Sequence, residues 1–134
     1  MKFVYLKNKL VLTAGMLCLL SSVISFAQDT LDVPIFSVTR GFYSEPFEIE
    51  IASPVAEALI SYTLDGSDPR TSAAVITGTA PVTVSINPES NTNSGGKTPA
   101  VVLRAYAHKD GYGPSQVMTH TYIFIESINT FIAK

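Results

Sequence analysis

The chain has 134 residues, a length that fits one domain, with nine basic residues against eleven acidic ones and a single cysteine. No strongly basic balance is present, which argues against nucleic acid or an anionic membrane surface as partner. One cysteine cannot form an internal disulfide, so a fold of this chain must hold by its core.

The first 27 residues read as a cleavable signal peptide. Lys2, Lys7 and Lys9 form a positive start, and Leu10 to Leu20 is apolar except for Thr13 and Gly15. Ser25-Phe26-Ala27 then places small residues three and one before a cut near Ala27. The run falls short of the about 20 apolar residues that cross a bilayer, so no membrane span is expected after cleavage. Cys18 follows Leu17 rather than a small residue, which argues against lipidation. Cleavage removes the three lysines and the cysteine, leaving six basic residues against eleven acidic, a net charge of −5. The expected address is secreted, periplasmic or cell-surface.

Residues 28–33 read as a flexible lead and residues 34–124 as the domain. Within it, short β-like runs alternate with turn residues. Pro34 to Val38 is the first. Phe47-Glu-Ile-Glu-Ile51 alternates apolar and acidic side chains, so Phe47, Ile49 and Ile51 are predicted to face a core and Glu48 and Glu50 water. In the strand Ile60 to Leu64, the inward set is Ile60, Tyr62 and Leu64. Asp65-Gly66 marks a tight reversal and Asp68-Pro69 extends it. Val82, Val84 and Ile86 mark another half-buried strand. Val101 to Ala107 puts Leu103, Ala105 and Ala107 on one face and Arg104 on the other. Gly111 to Pro114 is a turn, and Gln116 to Phe124 a last strand rich in β-formers. No stretch shows a capped helical period. Residues 87–99 form a long polar loop, expected to be a mobile insertion. The tail, residues 125–134, is apolar and reads as the start of a further element or of a following domain. Six or seven short strands with turns every 8–12 residues or so predict an all-β, antiparallel two-sheet sandwich, immunoglobulin or fibronectin III-like.

The sequence offers little chemistry. Glu48 and Glu50 lie roughly 7 Å apart on one strand face, but an alternating strand always yields such a polar row. No Gly-x-Ser-x-Gly elbow accompanies the serines, and His108 and His120 are expected at exposed or edge positions. Those histidines lack a zinc-like spacing. Asp65, Ser67 and Asp68 supply too few oxygens for calcium, which takes about six to eight. No catalytic residue, metal or cofactor is therefore expected. The candidates for stacking on carbohydrate are Phe42, Tyr43 and Tyr112, which sit in predicted turns, although the chain has no tryptophan to strengthen them.

Taken together, Pro34-Ile-Phe-Ser, Gly41-Phe-Tyr, Phe47-Glu-Ile-Glu-Ile, Ile60-Ser-Tyr-Thr-Leu-Asp-Gly-Ser-Asp-Pro69, Leu103-Arg-Ala-Tyr-Ala107, Gly111-Tyr-Gly-Pro-Ser115 and Thr119-His-Thr-Tyr-Ile-Phe124 resemble a known family. It is the β-sandwich at the C-terminus of chitobiase and β-hexosaminidase. The resemblance implies a non-catalytic, fibronectin-like module. Such modules occur in secreted bacterial glycosidases and in large surface proteins, some with spore-coat kinase-like domains. It implies an accessory role: spacing, stabilising or weak carbohydrate binding beside a larger activity. The implied partners are carbohydrate or another domain or protein at the cell surface. The alternatives are an adhesion or protein-interaction module and a truncated piece of a larger surface protein.

Overall fold

A computed structural model describes residues 27–90 and 99–132. The expected signal peptide, up to residue 26, and most of the polar loop lie outside these residues. Among the described residues eight strands form two sheets. They are β1 (Ile35–Phe36), β2 (Gly41–Tyr43), β3 (Phe47–Ala52), β4 (Leu59–Thr63), β5 (Ile76–Thr79), β6 (Val82–Ile86), β7 (Ala100–His108) and β8 (Met118–Phe124). The smaller sheet has the order β1-β3-β6 and the larger β2-β8-β7-β4-β5. All pairs are antiparallel but one: β2 runs parallel to β8, with Phe42 opposite Ile123. The opening of the domain is thus split. β1 pairs with β3, and the chain then crosses to the other sheet at Ser37 to Arg40.

The two-residue period of the sequence is the reason for the core. On β3, Ile49 and Ile51 are buried while Glu48 and Glu50 are exposed. Opposite them in register stand Val84 and Val82 of β6. On β7 every second residue is buried, Val101, Leu103, Ala105 and Ala107. Tyr122 and Phe124 of β8 and Ile60 of β4 complete the facing layer. Each fully buried Ile, Leu or Phe contributes about 1.5–3 kcal/mol relative to exposure, enough for a core without disulfides. Among the described residues, every buried side-chain polar atom has a hydrogen-bond partner.

The structure adds detail at both ends of the domain and differs from the sequence reading at Phe42 and Tyr43. The lead, residues 28–33, is bonded to the rest of the domain. Leu31 is buried, its N–H donates to the Gly113 carbonyl (2.9 Å), and the Gly113 N–H donates to the Asp29 carbonyl (2.8 Å). The lead therefore clasps the β7–β8 turn. Phe42 and Tyr43 lie on a strand rather than in a turn, because β8 offers a free edge that their backbone completes. The tail continues directly from β8 into a helix, α1 (Ile125–Ile132). Its acidic Glu126 stands in the first turn, where the helix dipole favours negative charge. Among the described residues no helix is long and apolar enough to cross a membrane.

Candidate functional site

The stretch Thr63 to Ser72 is the most densely bonded local structure described. Gly66 takes φ +77°, which only glycine adopts without strain, and so reverses the chain. The Asp65 carboxylate closes the turn. Its Oδ1 accepts from the Ser67 N–H (2.9 Å) and from the Ser67 hydroxyl. Those bonds, the side-chain one foremost, hold the Asp65 carboxyl below its ordinary range. Thr63 Oγ1 donates to the Ser67 carbonyl (2.7 Å), and the Ser67 hydroxyl also meets Ser72 (2.7 Å). The turn is then pinned to β7. The Gly66 N–H donates to the Val102 carbonyl (3.0 Å), and Arg104 Nη1 donates to the Gly66 carbonyl (3.2 Å). Asp68 bonds the Arg70 N–H (3.0 Å) and its guanidinium (3.3 Å). One oxygen of each carboxylate, Asp65 Oδ1 and Asp68 Oδ1, is thus engaged in folding the turn. Among the described residues no group of three or more His, Cys, Asp or Glu is placed to hold a metal ion.

One polar grouping escaped the sequence reading. Ser61 on β4 bonds His108 Nε2 on β7 (2.9 Å) and Thr77 Oγ1 on β5 (2.7 Å). His108 in turn stacks on Tyr106, ring centroids 5.2 Å apart. The pattern placed Ser61 toward water; in the structure it is only 3% exposed. Burial follows from register: Ser61 faces Tyr106 on one side and Thr77 on the other. No spacing in the chain signals this, since residues 61 and 108 are 47 apart. A serine and a histidine at this distance suggest nucleophilic chemistry, but the setting does not develop it. Among the described residues no carboxylate bonds His108, and Ser61 is buried under its neighbours.

His120 is likewise not an edge residue. It is half-buried with its ring set edge-on to Phe36 (4.6 Å between centroids), and Nδ1 lies 3.3 Å from the Tyr122 hydroxyl. Tyr122 is fully buried and donates to the Val38 carbonyl (3.0 Å). Around it Tyr43 and Phe47 pack with ring centroids 5.8 and 5.4 Å away.

The three carbohydrate candidates do not converge. Tyr43 points inward onto Phe47 (4.4 Å between centroids) and bonds the Thr39 carbonyl. Its ring borders an open surface depression of about 480 Å³ shared with Phe47, Glu45 and Glu48. Phe42, the next residue on the strand, therefore points to the opposite face and is 71% exposed. Tyr112 is 38% exposed in the β7–β8 turn, at the far end of those strands. Phe42 stands level with Ile123, and Tyr112 lies beyond Met118. Five residues of strand already separate those levels by roughly 17 Å. No single short sugar can stack on both.

No curated protein and no solved structure matches the chain. The family model described as "Fn3 associated" matches residues 49–122, from β3 through most of β8, and so takes in the bonded turn, the Ser61–His108 pair and the β7–β8 hairpin. The chain belongs to the Fn3-associated family.

Proposed function

We infer that this is a secreted, non-catalytic accessory module of the chitobiase and β-hexosaminidase C-terminal kind, which spaces or steadies a larger activity by packing against it. The family supports an accessory β-sandwich. One observation carries the choice of packing over chemistry. The polar residues that look functional are spent on internal bonds, while large apolar side chains stand exposed at one end of the larger sheet. Phe42 lies on the outer face beside Ile123, and Ile125 follows at the start of α1, also exposed. Such a patch suits another protein surface better than water.

A weaker second reading is carbohydrate stacking on Phe42 or Tyr112 singly. The exported protein should be passed over insoluble chitin, cellulose and cell-wall glycan, and assayed on a glycoside and ester panel. The expected result is no retention and no turnover. Retention lost on Phe42→Ala or Tyr112→Ala would establish the sugar reading instead. Turnover abolished by Ser61→Ala would overturn the non-catalytic one. Export itself is tested by N-terminal sequencing of the protein from outside the inner membrane, which should begin at Gln28.

A further inference from the structure

We propose that the free edge of the larger sheet, strand β5, pairs with β5 of a second copy of this chain and joins two sandwiches through one continuous sheet. β5 is bonded to β4 alone. Among the described residues, its outer side makes no backbone hydrogen bond. In an antiparallel pair alternate residues aim N–H and C=O away from the partner, so two of these four residues offer unmet strand-pairing groups. Proteins ordinarily guard such an edge with lysine, proline, a bulge or an inward charge. Here residues 71–88 carry no charge at all, and no proline occurs before Pro81. Ile76 is 49% exposed, and Val75 beside it is exposed too.

The other short edges are guarded. β1 has two residues and follows Pro34, β2 has three residues next to Arg40, and β6 is bracketed by Pro81 and Pro88.

Register selects a second copy as the occupant, and charge does not oppose it at this edge. The chain is net negative, so two copies repel over most of their surface. Along 71–88 no register can set like charges opposite each other. The nearest charges, Asp68 and Arg70, already neutralise one another at 3.3 Å. A two-fold axis through Thr77 keeps each side chain on its own face of the joined sheet. It sets Thr77 against Thr77, and Ile76 against Gly78, twice over. Val75 then meets Thr79. Gly78 brings no side chain of its own to the pair, its face being covered by Val82 of the same chain, and a Thr–Thr pair is a favourable cross-strand neighbour. Two-fold interfaces require this kind of self-complementarity. A strand pair of this length buries less than the roughly 1,200 Å² of a durable interface, so the dimer is a weak, concentration-dependent one.

Sedimentation equilibrium of the exported protein over a wide concentration range should show monomer and dimer. Ile76→Lys places a charge on the edge at an already exposed position, and should weaken association at least tenfold with an unchanged circular dichroism melt. Thr77→Cys should cross-link under mild oxidation well ahead of Glu48→Cys, an exposed control on β3. Facing Cα atoms of a strand pair, about 4.5–5.5 Å apart, lie within disulfide reach. A protein that stays monomeric at millimolar concentration overturns the proposal. So does a dimer that Ile76→Lys leaves intact, or a Thr77→Cys rate no higher than the control.

Discussion

Gly66 and Gly111 make a matched test of how the signature turn is built. Both hold positive φ, +77° and +85°. A Cβ at Gly111 would meet nothing within 4 Å, whereas one at Gly66 would meet Val102 Cβ and Cγ1 at 3.3 Å. An L-side chain in this region costs about 1–2 kcal/mol, so Gly111→Ala should lose about that much. Gly66→Ala should lose the same plus the cost of crowding Val102. The turn cannot swing clear, because the Gly66 N–H is bonded to the carbonyl of that same Val102. We expect the extra cost to be about 1 kcal/mol, the lower end of the range for overpacking. For a domain of this size 1 kcal/mol moves Tm by about 4–8 °C, so the two variants should melt visibly apart. Alanine restricts the unfolded chain equally at both sites, and that effect cancels in the difference. Urea unfolding gives the free energies. Gly66→Ala combined with Val102→Ala should return only part of the crowding loss, since Val102 Cγ1 is removed and the Cβ at 3.3 Å stays, while keeping the backbone part. Equal losses at Gly66 and Gly111 would refute the tight approach of turn to β7, and a loss below about 0.5 kcal/mol at both would refute the backbone argument itself.

Tyr122→Phe removes the hydroxyl that donates to the Val38 carbonyl and should cost about 1–2 kcal/mol in urea unfolding. Burial, with Tyr43 adding to it, pushes the Tyr122 hydroxyl up to about 12, so the folded state holds its proton more tightly than the unfolded one. The stability from this group is therefore complete below the ordinary tyrosine value of about 10 and is lost as pH rises to about 12, a slope that Tyr122→Phe should flatten. His120 runs the other way. Burial first, and the Arg40 charge last, push its imidazole below the ordinary value, partly offset by the Val38 backbone. The folded state thus resists protonation, and the His120 contribution is present above about pH 6.5 and lost as pH falls below it. His120→Gln should remove that acid-side slope in a series of melts from neutral to mildly acid pH.

The alternation in Phe47 to Ile51 and Val101 to Ala107 was legible because a strand's side chains switch faces at every residue, and that rule needs no partner. The Asp65-Gly66 turn was legible for a similar local reason: a carboxylate and a glycine suffice to reverse a chain. The burial of Ser61 was not, since it depends on which strands flank β4. Phe42 and Tyr43 were read as turn residues because three residues carry too little periodicity; the open edge of β8 makes them a strand. The bonding of the lead and the helical form of the tail's further element were not legible either. Leu31 is held by a turn some 80 positions away, a contact no local pattern encodes, whereas α1 sets Ile125, Ile128 and Ile132 at helical spacing with no capping residue before it to mark a helix.

What the sequence by itself determined is the alternation of inward and outward side chains on β3, β6 and β7, the Asp65-Gly66 reversal and the β-sandwich class, since each rests on neighbours along the chain. Only the tertiary structure decided that the aromatic candidates fall on separate faces and opposite ends, that Ser61 and His108 meet under cover, and that β5 is left with an unguarded edge. Those are properties of strand order and register, fixed by long-range pairing between residues whose separation in sequence carries no signal.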